Sequence, residues 1–131
     1  MTPLFLTMEE AREIHADQIE RYGGSPGIRD ITLLQSAIAM PAAGFGEQYL
    51  HADLFEMAAA CLFHIVNDHP FVDGNKRVGI ASALVFLELN GVGMKATNDA
   101  LVEMVLAVVE HTMAKAGIAE FFRAHAMKSK K

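Results

Sequence analysis

Cysteine is nearly absent from this chain of 131 residues. Cys61 stands alone inside an apolar run, so no intramolecular disulfide can form, and the residue reads as a small buried hydrophobe rather than a nucleophile. A reducing, cytoplasmic setting is the simplest expectation. Charge is also sparse: 21% of residues are charged against 52% hydrophobic, with only four prolines, which excludes a disordered chain. The formal net charge of −5 has the wrong sign for a protein that holds nucleic acid by neutralising phosphates, so direct nucleic-acid binding is not expected. No basic region precedes Glu9 and Glu10, which argues against a signal peptide. The longest nearly uncharged run, Val78 to Leu87, is too short to span a bilayer, and no membrane association is expected. There is no Cys/His zinc pattern, no Walker loop and no serine nucleophile elbow, and His15, His51, His111 and His125 show no ligand spacing.

What is present is helical periodicity. A chain of this size buries about two-thirds of its unfolded surface and needs no staple. Thr7 with Glu10 makes a capping box ahead of Met8, Ala11, Ile14 and Ile19, predicting a helix from Met8 to Arg21 that Tyr22 to Gly27 breaks. Asp30 is a good N-cap for a second helix through Leu33, Leu34, Ala37, Ile38 and Met40, ended by Pro41. The connection Pro41 to Tyr49, with Gly44 and Gly46, is expected to be irregular. Asp53 with Glu56 precedes Leu54 to Val66, apolar nearly all round except Glu56 and His64, as a central helix would be. His69, preceding Pro70, belongs in a loop or at the helix terminus. A second apolar helix is expected from Asn75 or Lys76 to Leu89, stopped at Asn90-Gly91. Asn98 or Asp99 should cap a further helix through Leu101, Met104, Val105, Val108 and Val109. A short last one, Ile118 to Ala126, follows Gly117, and residues 128–131 should fray. The sum is one all-α domain over residues 1–131, a compact bundle of about six helices.

Between the two apolar helices sits His69-Pro70-Phe71-Val72-Asp73-Gly74-Asn75-Lys76-Arg77, a base candidate, a carboxylate, an amide and two cations within nine residues. The arrangement suits a phosphate: a turn at Asp73-Gly74, then a helix amino end whose unpaired N–H groups and dipole favour an anion, with Lys76 and Arg77 adding charge. Asp73 offers hard oxygen ligands for Mg²⁺, and His69 can accept a proton from an attacking hydroxyl. Phe71 should turn inward and pin the loop. The bland alternative is a turn with an N-cap, two solvated cations and an incidental histidine. His64, five residues before His69, shares no face with it and reads as a packed or capping histidine.

The string His69-Pro-Phe-x-Asp-Gly-Asn-x-Arg77 resembles the Fic signature, and with Lys76 it resembles more specifically the Doc (death-on-curing) toxin branch of the Fic/Doc superfamily. Arg21-Tyr22-Gly23-Gly24-Ser25-Pro26-Gly27-Ile28-Arg29-Asp30, followed by Leu33 and Leu34, is similar to the amino-terminal part of Doc-like proteins. The resemblance implies a toxin of a type II toxin–antitoxin system. In Fic enzymes the matching histidine deprotonates a target hydroxyl that attacks the α-phosphate of ATP. Lys76 stands where Fic enzymes carry glycine, and Ile80 where many carry a second arginine. Both departures are shared with Doc, which is similar to a kinase in outcome and passes the γ-phosphate to a threonine of elongation factor Tu, blocking translation.

The implied roles are His69 as general base, Asp73 as Mg²⁺ ligand and Gly74 as the point of close backbone approach. Asn75 would be a phosphate contact, with Lys76 and Arg77 balancing charge. The segment Pro41 to Tyr49 falls where superfamily members carry a flap that aligns the target. No Ser/Thr-x-x-x-Glu-Gly/Asn inhibitory segment is present, so the implied restraint is a separate antitoxin whose disordered tail folds on binding. The alternatives are a Fic-type adenylyltransferase and a non-catalytic module that grips an antitoxin or a nucleotide.

Overall fold

The computed structural model describes residues 2–46 and 48–129. Within them six α-helices carry the fold: α1 (Met8–Tyr22), α2 (Ile31–Ala39), α3 (Leu54–Asp68), α4 (Asn75–Leu89), α5 (Asn98–Val109) and α6 (Lys115–His125). The fold is mostly α, as the periodicity predicts.

Side-chain caps start most of these helices. The Glu10 N–H donates to Thr7 Oγ1 at 3.1 Å and the Thr7 N–H to Glu10 Oε1 at 2.9 Å, closing the capping box of α1. Asp30 accepts from Leu33 N–H at 3.0 Å and opens α2. Asp53 accepts from Glu56 N–H at 2.9 Å and opens α3. The cap of α5 is Thr97, which accepts from Ala100 N–H at 3.1 Å, in place of Asn98 or Asp99. The last helix begins at Lys115, so Gly117 lies in its first turn instead of before it.

The α3 helix is the centre. Met57 to Leu62, Ile65 and Val66 are buried, so it meets neighbours on almost every side. It lies closest to α4 at Gly79, where a Cβ atom would sit 2.8 Å from Val66 Cγ2 and 3.5 Å from the Leu62 carbonyl oxygen. One core cluster joins α3 and α4 to Leu34 of α2, Met104 and Val108 of α5, and Ile118 and Phe122 of α6. Cys61 belongs to that core, and burial pushes its thiol up to about 12, so it stays neutral and unreactive.

Two small antiparallel pairs decorate the bundle. The connection expected to be irregular is a short 3₁₀ turn, Met40–Ala42, followed by a hairpin of β1 (Gly44–Phe45) and β2 (Gln48–Tyr49), with Gly44 opposite Tyr49 and Phe45 opposite Gln48. Glu47 lies outside the described residues. After Asn90-Gly91, β3 (Val92–Met94) pairs with β4 (Ala126–Lys128). The frayed end expected from residue 128 is therefore corrected: Lys128 pairs with Val92, and the Ser129 N–H donates to the Gly91 carbonyl at 3.1 Å. Lys130 and Lys131, also part of that expected tail, lie outside the described residues.

Candidate active site

The loop between α3 and α4 is held on three sides by main-chain and side-chain bonds. His69 is the C-cap of α3, in the left-handed region at φ 52° and ψ 56°, which is uncommon for a residue with a side chain. Pro70 follows, so the helix cannot continue. The Pro70 carbonyl accepts the N–H groups of Arg29 at 2.7 Å and Asp30 at 3.0 Å, Phe71 bridges Ile28, and the Val72 N–H donates to the Gly27 carbonyl at 3.1 Å. The segment between α1 and α2 therefore runs alongside the loop as an edge.

Phe71 turns into the core, as expected, at 1% exposure. Burying such a ring contributes about 2–3 kcal/mol and anchors the loop at its middle. Asn75 closes the loop over it: the Phe71 N–H donates to Asn75 Oδ1 and Asn75 Nδ2 donates to the Phe71 carbonyl, each at 3.0 Å. The Asn75 amide thus shapes the loop, and its main-chain N–H is the group left at the helix end. The His15 ring stacks on Phe71, with centroids 4.0 Å apart and planes within 6°. Its Nε2 lies 3.0 Å from the Asp73 carbonyl oxygen, which can only accept, so Nε2 carries the proton.

Asp73 accepts from the Gly74 N–H at 2.9 Å through Oδ1 and from the Ser25 N–H at 3.2 Å through Oδ2. The Ser25 and then the Gly74 hydrogen bond, with Arg77 nearby, hold this carboxyl below the usual range, so it is ionised near neutral pH. Gly24 makes room for it: at φ +117° a Cβ would come 2.8 Å from Asp73 Oδ2. Gly74, at φ 79°, is the N-cap of α4 and brings no side-chain cap, so the first-turn N–H groups of that helix face outward. Arg77 reaches back to α1, donating from Nη2 to the Gly23 carbonyl at 2.9 Å and from Nη1 to the Gln18 carbonyl at 3.3 Å, and lies over the Tyr22 ring. Lys76 is exposed, and among the described residues no partner holds its ammonium.

All six residues singled out in the sequence, His69, Asp73, Gly74, Asn75, Lys76 and Arg77, line one cleft of about 390 Å³, which Val72 and Val109 complete. Three further residues, to which the sequence assigns no role, pack against this loop. His15 has no ligand spacing, but its place on the apolar stripe of α1 between Ala11 and Ile19 is the signal for a packed histidine. Ser25 and Arg29 act through main-chain bonds, which no spacing announces. His64 stays out of the cleft, as expected: Lys115 Nζ donates to its Nε2 at 3.1 Å, and Asp68 lies 3.6 Å from its Nδ1. Among the described residues no group of three or more His, Cys, Asp or Glu side chains gathers to hold a metal.

This geometry belongs with the match of residues 5–87 to a sequence model described as the Fic/DOC family. The chain belongs to that family. It is 40% identical over 78 residues, 60% of each chain, to "Toxin Doc" of Mycolicibacterium smegmatis. It is 38% identical over 87 residues, 66% of this chain and 68% of the relative, to "Protein kinase doc" of Escherichia phage P1. The matched part thus spans 60% of the length of the first relative and 68% of the second. The Fic/DOC match contains α1 to α3, both edges of the cleft and nearly all of α4. The residues after it add Val109 to the cleft wall and the β3–β4 pair to the bundle. No described helix is long and apolar enough to cross a membrane.

Proposed function

We propose that this protein is the toxin of a type II toxin–antitoxin pair and a phosphotransferase, moving the γ-phosphate of ATP to a threonine or serine hydroxyl of a protein target. Elongation factor Tu is the target to try first, because the Doc resemblance implies it. The observation that carries the reading is the gathering of His69, Asp73, Lys76 and Arg77 on one cleft at a helix end that no side chain caps. The names of the two relatives, one a toxin and one a protein kinase, support it.

In this reading the N–H groups of the first turn of α4 and the Lys76 and Arg77 side chains hold the phosphate oxygens, where fixed dipoles and charge favour an anion. His69 accepts the proton of the target hydroxyl as its oxygen bonds to the γ-phosphorus. The β–γ bridging bond breaks and ADP leaves. Catalysis is positioning plus charge compensation, as is usual for phosphoryl transfer.

Mg²⁺ fits Asp73. Its carboxylate is ionised and uses one acceptor site on each oxygen, leaving the others open, and Mg²⁺ typically takes one or two carboxylates with the rest from phosphates and water. When bound there, the ion neutralises charge on the donor phosphates. The positive Lys76 side chain, on the cleft wall where the resemblance places glycine in AMP-transferring relatives, favours phosphate over AMP transfer. Restraint would come from an antitoxin segment that is disordered alone and folds on this surface, at a cost in ordering entropy.

The test incubates the protein with elongation factor Tu, ATP and Mg²⁺ and weighs the target intact, with His69→Ala as control. A gain of one phosphate that the control lacks is the expected result. A gain of one AMP would move the protein to the adenylyltransferases, and no gain on any protein of a whole lysate would leave a non-catalytic binding module.

A further inference from the structure

We infer that Arg29 is the positioning residue of His69: by gripping the two carbonyls that flank it, the Arg29 guanidinium sets the direction in which the imidazole enters the cleft. The inference rests on the reading of His69 as the general base.

The two peptide planes on either side of the His69 Cα end in the carbonyls of Asp68 and His69. Arg29 Nη2 donates to the first at 2.7 Å and Nε to the second at 2.6 Å. Both donors lie on one edge of a rigid, planar group. Clamping both planes to that edge fixes the angle between them, which is the φ and ψ of His69 and therefore its Cα–Cβ direction.

His69 needs such a clamp. At φ 52° it holds a backbone conformation that residues with side chains visit rarely, and such conformations persist only where their surroundings over-determine them. Its own N–H bond to the Ile65 carbonyl is long, at 3.3 Å. Arg29 is well placed to over-determine it. Its N–H donates to the Pro70 carbonyl at 2.7 Å, and Asp30, one residue on, caps α2, so the stem of the side chain starts from a fixed point. Among the described residues no carboxylate pairs with Arg29, so its charge goes to the negative end of the α3 dipole.

A plain C-cap would give the same stability, so the decisive variant keeps the charge and removes the fork. Arg29→Lys puts one ammonium near the carbonyls, whose donors rotate about a single nitrogen and do not lock the two planes at a fixed angle. Its melting temperature should stay near that of the parent. Its kcat for transfer to elongation factor Tu should fall about tenfold, and that of Arg29→Ala about 100-fold, the scale of a misplaced catalytic group, with the KM for ATP unchanged in both. In parallel, NMR of the labelled full chain reads the His69 backbone. The strong intraresidue N–H to Hα contact of a positive φ should weaken in Arg29→Lys.

Wild-type kcat in Arg29→Lys would overturn the inference, as would a lowered kcat with the His69 backbone unmoved. Full transfer by His69→Ala would remove the base reading instead, and the NMR arm would still decide whether Arg29 sets the His69 conformation.

Discussion

Helices α3 and α4 are both fifteen residues long and pack against each other, yet they begin in opposite ways. The start of α3 is sealed: Asp53 accepts the Glu56 N–H, Glu56 accepts the Ala52 N–H at 3.1 Å, and Arg123 Nη2 donates to Asp53 at 2.9 Å. The start of α4 is open. Its N-cap is a glycine without a side chain, and the neighbouring Asp73 is turned onto Ser25 and the Gly74 N–H. An uncapped start alone does not make a site, since α6 also lacks a side-chain cap and its Lys115 is spent on His64. What sets α4 apart is that an unused lysine, an ionised carboxylate and an exposed histidine surround its open end. In the proposed reading one helix end serves folding and the other serves chemistry.

Four substitutions test that division, from the largest expected effect to the smallest. His69→Ala should lower transfer at least about 100-fold, the scale of a general base, while thermal unfolding barely moves because the side chain is exposed. A large drop in melting temperature would make His69 a folding residue and erase the contrast. Asn75→Ala should destabilise the fold by about 3 kcal/mol, because the N–H and carbonyl of Phe71 lose their partners where water does not reach. Denaturant titration with an unchanged m-value is the measure.

Sealing the open end sharpens the comparison. Gly74→Asp introduces a carboxylate at the α4 start, in a backbone region aspartate tolerates better than most, and should raise the KM for ATP about tenfold by occupying the anion site. An unchanged KM would place the phosphates elsewhere. Asp53→Ala opens the sealed end and should cost about 1 kcal/mol with no change in transfer rate. It should also flatten the acid limb of stability. Partial burial pushes the Asp53 carboxyl up, but the Glu56 N–H and Arg123 outweigh this and hold it below its ordinary value of 3.8. A depressed folded-state value means its contribution is present above that pH and is lost as pH falls through the folded value. Melting temperatures between pH 6 and 3, with and without the substitution, check this.

What could be read in advance follows the same divide. Caps such as Thr7, Asp30 and Asp53 act over three residues, so the helices they open were legible from local pattern. The gathering of the six loop residues on one cleft was legible because all of them fall within nine positions, His69 to Arg77. His15 and Arg29 work across 58 and 40 residues, through bonds from side chain to main chain that leave no period in the sequence. The β3–β4 pair was invisible for another reason: three residues a side are too few to show alternation. Gly117 misled because a glycine can break a helix or sit in its first turn, and here its N–H bonds the Ala114 carbonyl in that turn.

The clasp between Phe71 and Asn75 also bears on how the proposed site would be switched off. The Phe71 N–H is buried with its ring and bonded to a side chain that is itself held in α4, so its exchange with solvent deuterium should be slow and track global unfolding. A loop with that protection would have no resting disordered state to fall back into. In the proposed reading, control of this site would then come from something that covers the cleft, and the covered loop would keep its working shape, ready as soon as the cover leaves.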